Sequence, residues 1–366
     1  MKLNSAYETI KFNDVYLLVD IKDDIYYKID EELFGIIENA ESINSSQNIA
    51  GVAFLKSKGI LIDNESIREI PKVNRRKKEF FSITRIKLLS FRVSRILTRF
   101  IDFTHIDSFK HWGKLFVSVG ALGFLLSTIC IALSIGAIQK GTIIVNIKDI
   151  TESVLYVYIS LFLISFFHEF GHALMCKLHC GFVGKCGIML FFLTPAFFTN
   201  TTISRFAPKK ERAQIISAGV VFQCFISTIL SVILIVGIKW NNPMWTTLYL
   251  VFWFNLITIV QNINPLFKYD GYWMLSLILD VDFLYEKSIV AVKDAILGKR
   301  NGVRSNAKLT AYGIAIILFY LIMWVGSIIG IYYVLFPVIG WFCLAVIAVV
   351  VIMIVREIRK WGTIKI

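Results

Sequence analysis

Residues 154–176 read VLYVYISLFLISFFHEFGHALMC, an apolar run long enough to cross a bilayer as a helix, and they carry His168, Glu169 and His172 near their end. Imidazoles four residues apart fall on one helix face about a turn apart, where both can reach one zinc ion. The glutamate beside the first can take a proton from zinc-bound water. Each charged group near a helix centre costs roughly 2.5 to 3.5 kcal/mol on insertion scales, so ionisable residues at that depth point to a function and a partner. Here the partner is a divalent metal.

The rest of the chain repeats the apolar theme. Of 366 residues 56% are hydrophobic and 18% charged, and the apolar residues come in blocks that suit membrane helices rather than a soluble core. Spans are predicted at about 115–138, 154–176, 213–238, 244–263, 309–336 and 338–355. The fold class expected is an α-helical polytopic membrane protein of about six transmembrane helices. The opening MKLNSAYETIKFNDVYLLVD lacks an apolar core behind a basic end, so no cleavable signal peptide is expected.

Lys and Arg set the orientation, because cytoplasmic loops carry their excess. Ten basic residues and one acid, Glu79, lie between Lys72 and Arg99, which puts the amino-terminal part inside. Six crossings return the carboxyl terminus to the cytoplasm, and Arg356, Arg359, Lys360 and Lys365 agree. The localisation expected is the bacterial cell membrane, multi-pass, with both termini cytoplasmic. The formal charge of +13 is thus mostly topology, and residues 1–70, with seven basic and thirteen acidic side chains, would repel a phosphate backbone. Nucleic acid is excluded as a partner. The six cysteines fall in spans or on the reducing side, so disulfides are not expected.

A catalytic zinc site needs a third protein ligand and an open position. The metzincin spacing is excluded, because Met175 and Leu178 stand where it requires glycine and histidine. The better candidate is Asp270 in Asn262-Ile263-Asn264-Pro265-Leu266-Phe267-Lys268-Tyr269-Asp270-Gly271, which closes the fourth predicted span at a depth matching the histidines. Pro265 and Gly271 break the helix there, and irregular backbone at membrane depth is tolerated where it lines a cavity. His179 with Cys176, Cys180 and Cys186 offers metal-ligand residue types but fits no closed zinc spacing, and packing is the preferred reading. Asp280 and Asp282 read as a solvated helix edge.

An intramembrane His-Glu-x-x-His with a distant Asn264-Pro265 and Asp270-Gly271 resembles the site-2 protease family of intramembrane zinc metallopeptidases. Leu193-Thr194-Pro195-Ala196-Phe197-Phe198 supports the resemblance, as does Ser217-Ala218-Gly219 entering the third span, where Val220 replaces the family's usual proline. The resemblance covers about residues 150–280. It implies that His168, His172 and Asp270 bind one zinc, that Glu169 is the general base, and that Asn264 helps to position substrate or transition state. Pro195 with Thr194, Thr199, Asn200, Thr201 and Thr202 would line water entry, and an extended segment there would pair with a stretched substrate backbone.

Residues 1–70 read as a small α+β, winged-helix-like cytoplasmic domain. Val15–Val19 and Ile25–Ile29 are predicted strands joined by a turn at Lys22-Asp23-Asp24. Asp30 caps a helix whose apolar face is Leu33, Phe34, Ile36 and Ile37, a second helix follows near Gln47–Lys56, and Gly59-Ile60-Leu61-Ile62 closes the unit. Tyr27-Lys28-Ile29-Asp30-Glu31-Glu32-Leu33-Phe34 and Phe54-Leu55-Lys56-Ser57-Lys58-Gly59 resemble PqqD-like peptide-recognition domains, which implies that a leader peptide adds as a strand. The plainer reading is a domain that only packs on the membrane part. Residues 71–112 form a basic amphipathic linker, with Phe80–Phe109 suiting a helix in the inner leaflet, and 113–366 form the membrane protease domain.

The function expected is cleavage of a small ribosomally made precursor peptide during maturation or export. A peptide-modifying enzyme, an exporter and the lipid bilayer are the other partners. Two competitors are regulated intramembrane proteolysis of a signalling protein, and a non-hydrolytic peptide transporter or immunity protein. Short outer loops favour the peptide substrate over the first, and Glu169 argues against the second.

Overall fold

The structure, a computed structural model, describes residues 2–3, 7–12, 15–20, 25–39, 49–57, 60–62, 85–104, 113–139, 147–191, 194–236, 243–297 and 307–363. The chain forms two compact units, Met1–Val260 and Gln261–Ile366.

The first unit opens with small sheets. Strand β1 (Lys2–Leu3) pairs with β5 (Leu61–Ile62), and β2 (Tyr7–Phe12), β3 (Val15–Asp20) and β4 (Ile25–Ile29) form an antiparallel sheet in that order. The strands expected at Val15–Val19 and Ile25–Ile29 are present, whereas the turn expected at 22–24 lies outside the described residues. Helix α1 (Glu31–Glu38) starts where its cap was read: Asp30 Oδ1 accepts from the Leu33 amide at 3.2 Å, and Phe34, Ile36 and Ile37 are buried. Helix α2 is Ile49–Ser57.

β3 is apolar at successive positions, and side chains on a strand alternate faces, so both of its faces must be covered. Register shows how. Leu18, opposite Thr9 and Tyr27, joins the core of Ile36, Ile37, Val52 and Leu55 under the two helices. Leu17, opposite Ile10 and Lys28, faces the other way into a core with Leu97, Ala173, Cys176, Cys180 and Val183, where Tyr26 meets Phe182 edge-on at 6.3 Å. The amino-terminal sheet is therefore packed on the end of the helix that carries the histidines. Leu17→Ala removes a fully buried side chain and is expected to cost about 2–5 kcal/mol. Denaturant titration of the detergent-solubilised protein reads this loss.

The basic stretch expected to be a single interfacial helix from Phe80 to Phe109 is instead strand β6 (Arg85–Arg92) followed by helix α3 (Ser94–Thr104). The reason is tertiary. β6 finds a partner about a hundred residues away in β7 (Lys185–Phe191), with a register shift between Lys87 and Leu89, and β7 pairs on its other side with β8 (Thr194–Thr199). Helices α4 (Gly113–Gln139), α5 (Ile147–Cys180), α6 (Lys209–Val236) and α7 (Pro243–Ile263) complete this unit, α6 being preceded by a short 3-10 turn at Thr202–Phe206. α6 packs against both α4 and α5. Cys130, Leu234, Tyr249 and Phe252 fill the space between α4, α6 and α7.

In the second unit, α8 (Asp270–Leu279), α9 (Leu284–Ile296) and α10 (Ala307–Ile339) share a core of Tyr272, Leu284, Tyr285, Ile289, Leu309 and Ile316. A 3-10 turn at Gly340–Phe342 joins α10 to α11 (Cys343–Thr363), and Trp324 stacks on Trp361 with centroids 5.5 Å apart. The break expected near residue 337 thus falls a few residues later, because Pro337 is carried within α10. Asp280 ends α8 in the left-handed region at φ 57°.

Four described helical runs, Ser153–Cys180, Lys209–Val236, Trp245–Ile263 and Ala307–Arg356, are long and apolar enough to cross a membrane. Their outward faces are hydrophobic: Leu155, Ile159, Leu163 and Phe167 on α5 are all exposed. That surface suits lipid, which needs every backbone group satisfied within the helix.

Candidate metal centre

Both histidines project from α5, which runs to Cys180 rather than Cys176 and so places His168 about three turns from the helix end. The two are buried, with ring centroids 4.8 Å apart and their Nε2 atoms 3.2 Å apart. What decides their chemistry is the other nitrogen of each ring. His172 Nδ1 lies 2.8 Å from the Ile215 carbonyl, which can only accept, so Nδ1 carries the proton and Nε2 the lone pair.

For His168 the same conclusion comes through a chain of three groups. Thr258 Oγ1 donates its only proton to the Asn255 carbonyl at 2.8 Å, so it accepts from Gln223 Nε2 at 3.0 Å. That turns the amide so that Gln223 Oε1 faces His168 Nδ1 at 3.0 Å, and Nδ1 must donate. Two imidazole lone pairs therefore converge. At that separation they repel unless a cation or a proton stands between them.

α6 makes room for this convergence at Gly219. A Cβ there would lie 2.5 Å from His168 Cε1 and 2.5 Å from His172 Nε2. Ser217-Ala218-Gly219 was read as entering a span. It lies inside α6, and its glycine serves close approach to the histidines. Val220 in place of proline continues the helix without a missing amide.

Asp270 is the first residue of α8. Gly271 beside it permits the tight return from α7, since a Cβ would run into the carbonyl oxygen of Ile263. His168 and His172 belong to the first unit and Asp270 to the second, and these three are the group of candidate metal donors found among the described residues. No family model, curated protein or solved structure matches this chain. The donor types, two imidazoles and a carboxylate, are ones that can hold a divalent metal ion.

Glu169 is half-buried, and its backbone carbonyl accepts from Thr199 Oγ1 at 3.1 Å, so β8 lies along the same turn of α5. Phe197 of β8 also stacks on α5, 4.6 Å from Phe162 and 5.2 Å from Phe166. β8 pairs with β7 on one side only among the described strands, and Pro195, Thr194 and Thr199 belong to it. Asn200 and Thr202 close a tight turn through Asn200 Oδ1.

Asn264 lies in the turn after α7. Its Oδ1 accepts from the Leu266 amide at 2.9 Å and holds the turn after α7, which leaves the amide donor end as the part that can face a substrate. Asn264→Asp keeps the acceptor and loses the donor. It is expected to fold normally, read by helix content, because the turn acceptor remains.

Cys176, Cys180 and Cys186 are buried in one core with Phe182 and Val183. Asp280 and Asp282 are outside the candidate donor group among the described residues. His105 and His111 lie outside the described residues. Gln223, Asn255 and Thr258 were not read from sequence as site residues. A signal existed, because a buried amide within an apolar span demands a partner.

Proposed function

We propose that this chain is a multi-pass zinc endopeptidase of the site-2 protease type that cleaves a small ribosomally made precursor peptide in the membrane. The observation that carries the reading is the pair of inward-facing imidazole lone pairs beside Glu169 in an apolar helix. His168, His172 and Asp270 would hold the metal. Bound zinc supplies Lewis acidity and lowers the pKa of water towards ~7. Glu169 accepts the proton of the attacking water and delivers it to the leaving amine, so that a C–O bond forms, the peptide C–N bond breaks and the proton count balances. The half-buried setting of Glu169 limits competing water.

β8, paired on one side only among the described strands, offers its other edge to an extended peptide, as strand addition requires. The amino-terminal sheet supplies recruitment in this proposal, through β4, whose Ile25 and Tyr27 are exposed. In the same reading the chain crosses the cell membrane six times with both termini in the cytoplasm, and a modifying enzyme and an exporter act on the same peptide.

The purified protein in detergent tests this. A single zinc ion per chain and chelator-sensitive cleavage of a library of short synthetic peptides, restored by zinc and read by mass spectrometry, are the expected results. Failure to bind zinc would overturn the reading. Cleavage confined to hydrophobic helical peptides would transfer the same chemistry to a transmembrane signalling substrate.

A further inference from the structure

The ring of His172 is held by a backbone carbonyl, which no substitution at Ile215 removes. His168 is held by a side chain, Gln223, whose own orientation depends on Thr258, and Thr258 on the carbonyl of Asn255. We infer that Gln223 is a positioning residue for the metal: through Thr258 it fixes His168 in the tautomer whose Nε2 bears the lone pair.

Three observations support this. Gln223 is 3% exposed, so the bond is made in an apolar interior where a hydrogen bond is strong and an unmade one costly. Asn255, fully buried, donates from Nδ2 to the Gln223 backbone carbonyl at 3.3 Å, which fixes α6 against α7 at this level. The relay takes its direction from its end, the Asn255 carbonyl, which can only accept and so orients the Thr258 hydroxyl. A primary amide cannot tell its two ends apart without such an anchor, and the wrong end would present N–H to His168 Nδ1. Nδ1 would then take the lone pair, the proton would move to Nε2, and a metal ligand would be lost.

The inference rests on the zinc reading, and its test separates the two. Zinc affinity is measured by competition with a chromophoric chelator for the wild type, His168→Ala, Gln223→Leu, Gln223→Glu and Thr258→Val, each checked for helix content and monodispersity. Gln223→Leu preserves bulk but not the acceptor and is expected to weaken zinc binding by about 10- to 100-fold. Gln223→Glu keeps an acceptor towards His168, and Thr258 can rotate to donate to it, so wild-type affinity within a few-fold is expected. Thr258→Val removes the anchor alone and is expected to fall between the two.

If the wild type binds no zinc, the parent reading fails and this inference with it. If His168→Ala abolishes binding while Gln223→Leu binds as the wild type does, the parent reading stands and the positioning role is wrong. Gln223→Glu binding as weakly as Gln223→Leu would also overturn it, by reducing Gln223 to packing.

Discussion

Glu169→Gln is expected to leave the protein inserted, folded and zinc-loaded while peptide cleavage falls by at least about 10²–10⁴-fold, the range for loss of a general base. The substitution is nearly isosteric, and it keeps the Glu169 backbone carbonyl that accepts from Thr199. The three candidate ligands are untouched. What disappears is the ability to take a proton from water and return it to the leaving nitrogen. Paired measurements of metal content and cleavage rate on the same preparation decide the matter. Retained zinc with unchanged turnover would remove Glu169 from the chemistry and return a conducting or structural metal site to consideration.

Gly219→Ala is expected to weaken zinc binding by about 100-fold or more, equivalent to roughly 2.7 kcal/mol. The added methyl would lie 2.5 Å from both His168 and His172. Neither ring can swing away cheaply, because each is tied at Nδ1. Helix propensity acts the other way, since alanine in a helix interior is favoured over glycine by about 0.5–1 kcal/mol. The variant should therefore keep its helix content while losing its metal. Gly326→Ala is the matched control: it lies in α10, and a Cβ there meets nothing within 4 Å. Equal zinc loss in both variants, or none in Gly219→Ala, would show that Gly219 does not shape the site.

Periodicity and spacing carried much of the fold. The apolar blocks around 154–176, 213–238 and 244–263 appear as the helices α5, α6 and α7, each long and apolar enough to cross a membrane. Asp30 announced α1 because capping is a local interaction. β6 stayed hidden: its Lys and Arg read as an interfacial helix, while its partner β7 lies far along the chain. The two-faced apolar pattern of β3 was visible too, but the second surface covering it was not.

The site divides in the same way. Residue type and spacing singled out His168, Glu169, His172 and Asp270, because four-residue helical spacing and a helix break at Pro265 and Gly271 are local properties. Sequence alone thus determined which atoms could serve as ligands and that the two histidines lie in a helix long and apolar enough to cross a membrane. Only the tertiary structure decided which nitrogen of each histidine is free. Ile215, Gln223, Asn255 and Thr258 come from two other helices, and a tautomer is set by what touches the opposite side of the ring. Gly219 belongs with them, since the need for a missing side chain arises only where two helices meet.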